Sequence, residues 1–453
     1  MTGLVLYNTL TRQKDPFHPI RAGKVNLFVC GPTVYDYPHL GHAKTYTQFD
    51  LIVRFLRHRD LEVFYLQNFT DIDDKIINRA REKGIAPEEL AREFERVYLE
   101  DMKALRNTSV SEYARATDHI PQIVRQVKTL IEKGFAYRTS DGYYYDLKRF
   151  APYGKLSKRT ELQENDSVSR IDEHEEKRNP GDFCLWKLEK PGEPSWDTEL
   201  GKGRPGWHIE DTAITETFFG PQYDVHGGAV DLIFPHHEAE IAQMEAASGK
   251  EPLVRYWLHT GFLNINSEKM SKSKGNFKTI RDALKEYDYK TLRYFFLSQH
   301  YRTTMDFTPD GLEHARNTVR RIDDFIFSIR PGFDDVEAAA SVDACKSAFF
   351  AALDDDIDTP RALATLFDFI RERNTAGGNG ARVLALMREI DTLFACFTLE
   401  TATVEKDILA LARERDAART AKDWKRSDEL RAIIQSRGYT VEDTKDGTKV
   451  RKG

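Results

Sequence analysis

At 453 residues the chain has room for about three domains with full-sized cores, and its 40% hydrophobic and 11% aromatic content excludes an intrinsically disordered protein. With 67 basic against 73 acidic residues and a net charge of −6, a general nucleic-acid-coating role is excluded, so any RNA contact must be local. Cys30, Cys184, Cys345 and Cys396 stand far apart without a CxxC pair, which excludes a disulfide framework and a zinc ribbon and predicts a reducing, cytoplasmic setting. The N-terminal apolar stretch is broken by Arg12, Lys14 and Asp15, and no later run reaches 18 apolar residues, so neither secretion nor membrane spanning is expected.

In chain order, Lys24 to Cys30 (KVNLFVC) reads as a strand ending at the turn Gly31-Pro32, and a helical pattern begins near His42. A second strand follows over Leu61 to Asn68, then the acidic turn Thr70 to Asp74 and a helix from Lys75. This β-α-β order predicts an α/β fold with a parallel sheet and helical crossovers over residues 1–116. Residues 117–205 change to aromatic, strand-like pieces and a charged loop, read as an insertion between two halves of the sheet domain. The α/β pattern resumes over 206–306 with DVHGGAVDLIF, a helix through HHEAEIAQMEAAS, and VRYWLHTGFLNI. Apolar residues at helical spacing over 307–399 predict an α-helical bundle. Residues 400–453 form a distinct small C-terminal segment, with Arg and Lys clustered around Trp424 and a short polar tail.

Two motifs carry chemistry. Pro38-His39-Leu40-Gly41-His42 lies between the first strand and the first helix, where free N–H groups and the helix dipole attract phosphate. Gly41 lets a nucleotide lie against the backbone while His39 and His42 donate to phosphate oxygens. Lys269-Met270-Ser271-Lys272-Ser273 precedes a helix near Thr279 and makes a cationic loop suited to the charge of a departing pyrophosphate.

HLGH and KMSKS in one α/β chain are the two signatures of class I aminoacyl-tRNA synthetases, and neither is a Walker A or GxGxxG site. Within that class, YNTLTRQKDPF, CGPTVYDYPHLGHA, NFTDIDDKI, GWHIED, HGGAVDLIFPHHEAEIAQ and EKMSKSKGNF resemble cysteinyl-tRNA synthetase, and the resemblance spans nearly the whole chain.

The resemblance implies a Rossmann-like catalytic domain with an insertion, a helical bundle, and a C-terminal tRNA (anticodon)-binding segment. It implies ATP-dependent activation of cysteine to cysteinyl-adenylate, with Mg²⁺ accompanying ATP, and transfer to the 3′ end of tRNA(Cys). His39, His42, Lys269 and Lys272 would be the catalytic groups, with Gly41 beside ATP, and Gly31, Thr33, Thr70 and Trp207 would line the amino-acid pocket. One zinc ion would be held by Cys30, Asp211, His236 and Glu240, and a monomer is expected. Asp211 departs from the pattern, because bacterial members usually carry cysteine there, in WHIEC. A carboxylate keeps the ligand charge unchanged, and zinc accepts oxygen at about 2.0–2.2 Å against about 2.3 Å for sulfur. His237 is set aside as core, since at helical spacing it shares a stripe with Ile241 and Met244, whereas His236 shares one with Glu240 and Gln243.

Thr70 can also be read as a helix cap, and Asp71, Asp73 and Asp74 as a charged helix start in preference to a magnesium site. The rival reading is a cysteine ligase of the mycothiol type that joins cysteine to an amino sugar and needs no anticodon-reading module.

Overall fold

The computed structural model describes residues 3–159, 175–269, 277–330, 336–399, 406–444 and 447–452, with only the backbone of Lys269. An antiparallel pair, β1 (Val5–Asn8) and β2 (Gln13–Pro16), leads into β3 (Lys24–Val29), whose LFV end is fully buried. α1 (Leu40–His58) follows, then β4 (Glu62–Phe69), α2 (Asp74–Lys83), α3 (Pro87–Ala104), β5 (Glu112–Arg115) and α4 (Ile120–Glu132). Four short strands come next: β6 (Ala136–Arg138), β7 (Gly142–Tyr145), β8 (Phe183–Leu188) and β9 (Gly203–Pro205), forming an antiparallel sheet in that order. The chain then returns through α5 (Trp207–Phe219), β10 (Tyr223–Ala229), α6 (Glu238–Ser248) and β11 (Val254–Thr260) to the main sheet.

That sheet has the order β11-β10-β3-β4-β5, with every pair parallel. Helices cover both faces of a parallel sheet, so its strands carry near-continuous apolar runs. Phe28, Leu66, Tyr223, Val254 and Trp257 are buried in one core with Ile123 and Val127 of α4, Ile209 and Ala213 of α5, and Ile241 and Met244 of α6. From β3 the chain crosses by α1 to β4 on one side, while β10 lies on the other. The crevice beyond the C-terminal ends of β3 and β10 is therefore a topological switch point, where open α/β sheets bind ligands.

After the sheet come β12 (Leu263–Ile265), β13 (Glu268–Lys269), α7 (Ile280–Glu286), α8 (Tyr289–Leu297) and β14 (Met305–Phe307). The helical stretch holds α9 (Pro309–Ser328), α10 (Ala339–Asp354), α11 (Thr359–Ala376) and α12 (Ala381–Phe394). The chain divides into a unit of residues 1–322 with 330–397 and a smaller unit of 323–329 with 398–453.

In the smaller unit, α13 (Lys406–Thr420) and α14 (Trp424–Ser436) precede an antiparallel hairpin, β15 (Tyr439–Thr444) and β16 (Gly447–Lys452). The expected polar tail is thus a hairpin. Tyr439, Val441 and Val450 bury against Ile408, Ala412 and Ile434, an alternation too short to stand out among its charges. Among the described residues no helix is long and apolar enough to cross a membrane.

Candidate active site

The HLGH turn, Phe277 and three of the four presumed metal ligands line one open pocket of about 770 Å³ at the switch point. Its walls include Cys30, His39, His42, Trp207, Asp211 and His236. His39 is the N-cap of α1 and accepts a hydrogen bond on Nδ1 from the Gly41 N–H at 3.1 Å. Its own backbone N–H donates to His42 Nδ1 at 3.3 Å. With Nδ1 accepting in both rings, each Nε2 carries a proton. Burial, and then the neighbouring His39, lower the pKa of His42, so it serves as a neutral donor.

The segment that follows the second motif, from Phe277 on, lies beside the first through backbone pairing. Leu40 N–H donates to Lys278 O at 3.2 Å, Ile280 N–H donates to Pro38 O at 3.0 Å, and the Phe277 ring meets His39 edge-on at 5.5 Å. Lys272 and the Lys269 side chain lie outside the described residues.

Cys30, at the end of β3, is fixed by a 3.1 Å bond from its N–H to Gly227 O of β10. It meets Asp211 from the second turn of α5, His236 from the segment before α6, and Glu240 from the first turn of α6. All four are buried, and one donor atom from each lies within 4.8 Å of the others. His236 Nε2 is 3.0 Å from Asp211 Oδ2 and 3.3 Å from Glu240 Oε1, and Cys30 Sγ is 3.8 Å from that same oxygen.

Burial pushes up the pKa of the Cys30 thiol, and so do the carboxylates of Glu240 and Asp211. Burial and Asp211 push up Glu240. Glu240 Oε2 is buried without a hydrogen-bond partner. One sulfur, one imidazole nitrogen and two carboxylates converge without a cation among them, so the donor set fits a divalent metal such as zinc, which would relieve that repulsion and engage the unpartnered oxygen.

Gly31, Thr33, Thr70 and Trp207 all face the same pocket. Thr33 and Thr70 pair across the loop, with Val34 N–H donating to Thr70 O at 3.2 Å and Thr70 N–H to Pro32 O at 3.3 Å. A Cβ on Gly31 would sit 1.7 Å from the Asn68 carbonyl oxygen, so only glycine permits this approach. The Trp207 ring stacks on His236 at 4.3 Å.

The capping alternative for Thr70 fails, because Asp73 is the N-cap of α2 and accepts from Lys75 N–H. The acidic turn is consumed by structure: Asp71 binds Thr117 and Arg92, and Asp74 binds Lys187 and Arg204.

His237 is fully buried, as its stripe with Ile241 and Met244 predicts, and it also reaches Cys30. Its Nε2 lies 3.1 Å from Cys30 Sγ, because Phe234 is extended (φ −138°, ψ 130°) and the regular helix starts only at Glu238. His226 Nε2 lies 3.3 Å from the same sulfur, so Cys30, His226, His237 and Glu240 form a second possible ligand group.

These histidines are oriented from behind. Tyr223 OH is 2.6 Å from His226 Nδ1, His259 Nε2 is 2.8 Å from His237 Nδ1, and Thr9 Oγ1 is 2.7 Å from His259 Nδ1. Burial lowers the pKa of all three, His259 to about 3, keeping them neutral. His226, His237 and Glu240 are absent from the pocket wall, whereas Cys30, Asp211 and His236 line it. The first group therefore opens to the pocket through three of its four donors and the second through Cys30 alone. His226 and His259 lie toward the C-terminal ends of β10 and β11, the position that marks functional side chains in a parallel sheet; that signal was present in DVHGG and WLHT.

The family model described as tRNA synthetases class I (C) catalytic domain matches residues 16–317, the DALR domain matches 348–399, and the cysteinyl-tRNA ligase anticodon binding domain matches 402–451. The chain is 46% identical over 447 residues to the cysteine–tRNA ligase of Thermoplasma acidophilum, covering 98% of this chain and 99% of that one. It is 43% identical over 467 residues to the cysteine–tRNA ligase of Thermococcus gammatolerans, covering 98% of each. The methionyl-tRNA synthetase of Mycobacterium tuberculosis, solved with methionyl-adenylate, shares the fold at a TM-score of 0.63 and 17% identity, over 82% of this chain and 92% of that one. By sequence over its whole length, and by the fold that carries both motifs, the chain belongs to the cysteinyl-tRNA ligase family of class I aminoacyl-tRNA synthetases.

Proposed function

We propose that the protein activates cysteine with ATP and transfers the cysteinyl group to tRNA(Cys). The observation that carries this reading is the meeting, in one pocket, of the His39–His42 turn, the segment that follows the KMSKS loop, and the Cys30, Asp211, His236 and Glu240 cluster. The amino-sugar ligase is not favoured, since it has no use for the anticodon-binding domain matched at 402–451.

The cysteine carboxylate attacks the α-phosphorus of ATP and pyrophosphate leaves with Mg²⁺. His39 and His42 donate Nε2–H to the phosphate oxygens, Gly41 admits the nucleotide to the backbone, and Lys269 and Lys272 neutralise the leaving group. This is catalysis by positioning and electrostatics. The 3′-terminal ribose hydroxyl of the tRNA then takes the acyl group from the adenylate. Gly31, Thr33, Thr70 and Trp207 hold the amino acid.

Zinc bound by Cys30, Asp211, His236 and Glu240 supplies a Lewis-acid centre that prefers a thiolate to a hydroxyl. Shape alone separates such isosteres by about 1–3 kcal/mol, whereas a site that demands one particular bond rejects the analogue by about 10⁴-fold or more.

We read residues 1–116 and 206–306 as the two halves of the catalytic domain, 117–205 as the connective insertion, 307–399 as the helical bundle and 400–453 as the tRNA-reading segment. Cysteine-dependent ATP–pyrophosphate exchange together with tRNA charging tests the function. Exchange without charging would overturn it in favour of the amino-sugar ligase.

A further inference from the structure

Asp211 is a carboxylate with two oxygens at a position where a cysteine ligand would offer one sulfur, so something must decide which oxygen faces the metal. Asn68, buried near the end of β4, provides that decision. Its Nδ2 donates to Asp211 Oδ1 at 2.6 Å, and its Oδ1 accepts the Gly31 N–H at 2.6 Å. The orientation of the amide is forced from both sides. Gly31 offers only a donor and Asp211 only acceptors, so a flipped amide would face N–H to N–H and O to O.

The Gly31 loop and β4 touch backbone to backbone where a Cβ would not fit. With Oδ1 engaged, Asp211 Oδ2 points to the cluster, 3.0 Å from His236 Nε2.

We infer that Asn68 is the positioning residue that makes Asp211 a one-oxygen metal ligand, so that Asn68 and Asp211 act as a pair at this place in the site. The inference rests on the metal reading of Asp211 given under Proposed function. Outer-shell partners that orient a ligating carboxylate typically change metal affinity by about 10–100-fold. A cysteine at 211 has no second oxygen to restrain, so the same asparagine should matter little there.

The test measures Zn²⁺ affinity of the full chain by chelator competition in wild type, Asn68→Leu, Asp211→Cys, the double variant, and Asp211→Ala as reference. Asn68→Leu is expected to weaken zinc binding about 10–100-fold in the wild-type background and less than about threefold in the Asp211→Cys background. Asn68→Ser, which keeps a polar group too short to reach Asp211, repeats the comparison if the leucine variant does not fold. The Co²⁺-loaded proteins supply a second readout, since the visible spectrum of the ion should change with Asn68→Leu only when Asp211 is present.

Equal losses in both backgrounds would overturn the inference, because Asn68 would then act only through Gly31. Loss with Asp211→Ala but none with Asn68→Leu would overturn it while leaving Asp211 a ligand. Unchanged affinity in Asp211→Ala would instead overturn the metal reading of that residue.

Discussion

The rings of His39 and His42 stack 3.9 Å apart with their planes 16° from parallel, each tied through Nδ1 to the backbone at the start of α1. Burial, and then the adjacent His39, lower the pKa of His42. The pair thus offers Nε2–H donors beside the helix dipole, which suits a phosphate whose charge grows in the transition state.

Replacing His42 with alanine should lower adenylate formation by about 10²–10³-fold, the scale for loss of one preorganised donor. Cysteine binding should change little, because the thiol cluster draws its side chains from other elements. Single-turnover adenylation and equilibrium cysteine binding separate the two effects, and a normal adenylation rate would remove His42 from the mechanism.

Metal content offers a second check. Wild-type protein is expected to retain one zinc per chain, Asp211→Ala to lose most of it, and Asp211→Cys to keep it, since both Asp and Cys supply an anionic ligand. Serine activation measured alongside should rise relative to cysteine in Asp211→Ala. Wild-type protein free of zinc after metal-replete purification would end the thiol-selection argument.

The C-terminal unit presents Trp424 with 58% of its surface exposed, and the Arg419 guanidinium lies over its ring at 5.9 Å. Stacking of an unpaired base on an aromatic ring is worth about 1–3 kcal/mol. Trp424→Ala should accordingly reduce kcat/KM for tRNA charging by about 5–150-fold while pyrophosphate exchange stays at the wild-type rate, as should a chain ending at Leu399. Undiminished charging by both proteins would make this segment a solvated helix only.

Lys44 is buried on α1 with its ammonium donating to Gly261 O at 2.8 Å, Gln48 Oε1 at 3.1 Å and Tyr301 O at 3.3 Å. Burial lowers its pKa to about 7, whereas an unfolded lysine titrates near 10.4. Between those values the unfolded chain holds a proton that the folded one has lost, so this group makes stability rise with pH from about 7 to about 10. Lys44→Met should remove that part of the slope. Urea unfolding midpoints at pH 7 and pH 9.5 test it, and parallel slopes in the two proteins would refute the assignment.

The sequence by itself determined the β-α-β order, because apolar runs bounded by Gly31-Pro32 and by Thr70–Asp74 are local signals. It also determined the chemistry of the HLGH turn, which needs only a strand, a glycine and a helix start in succession. It located the four donors of the candidate metal cluster only through likeness to a family, since Cys30, Asp211, His236 and Glu240 stand up to 210 positions apart and no local pattern joins them.

What only the tertiary structure decided was which groups stand behind those donors. His237 is in the core, as helical spacing predicts, and only the fold sets it against Cys30. The parallel pairing of β10 with β3 and β11 brings His226 and His259 to the same place. Asn68 reaches both Gly31 and Asp211 because β4 ends beside the loop after β3 and within reach of Asp211 in α5, an adjacency set by strand register rather than by sequence separation.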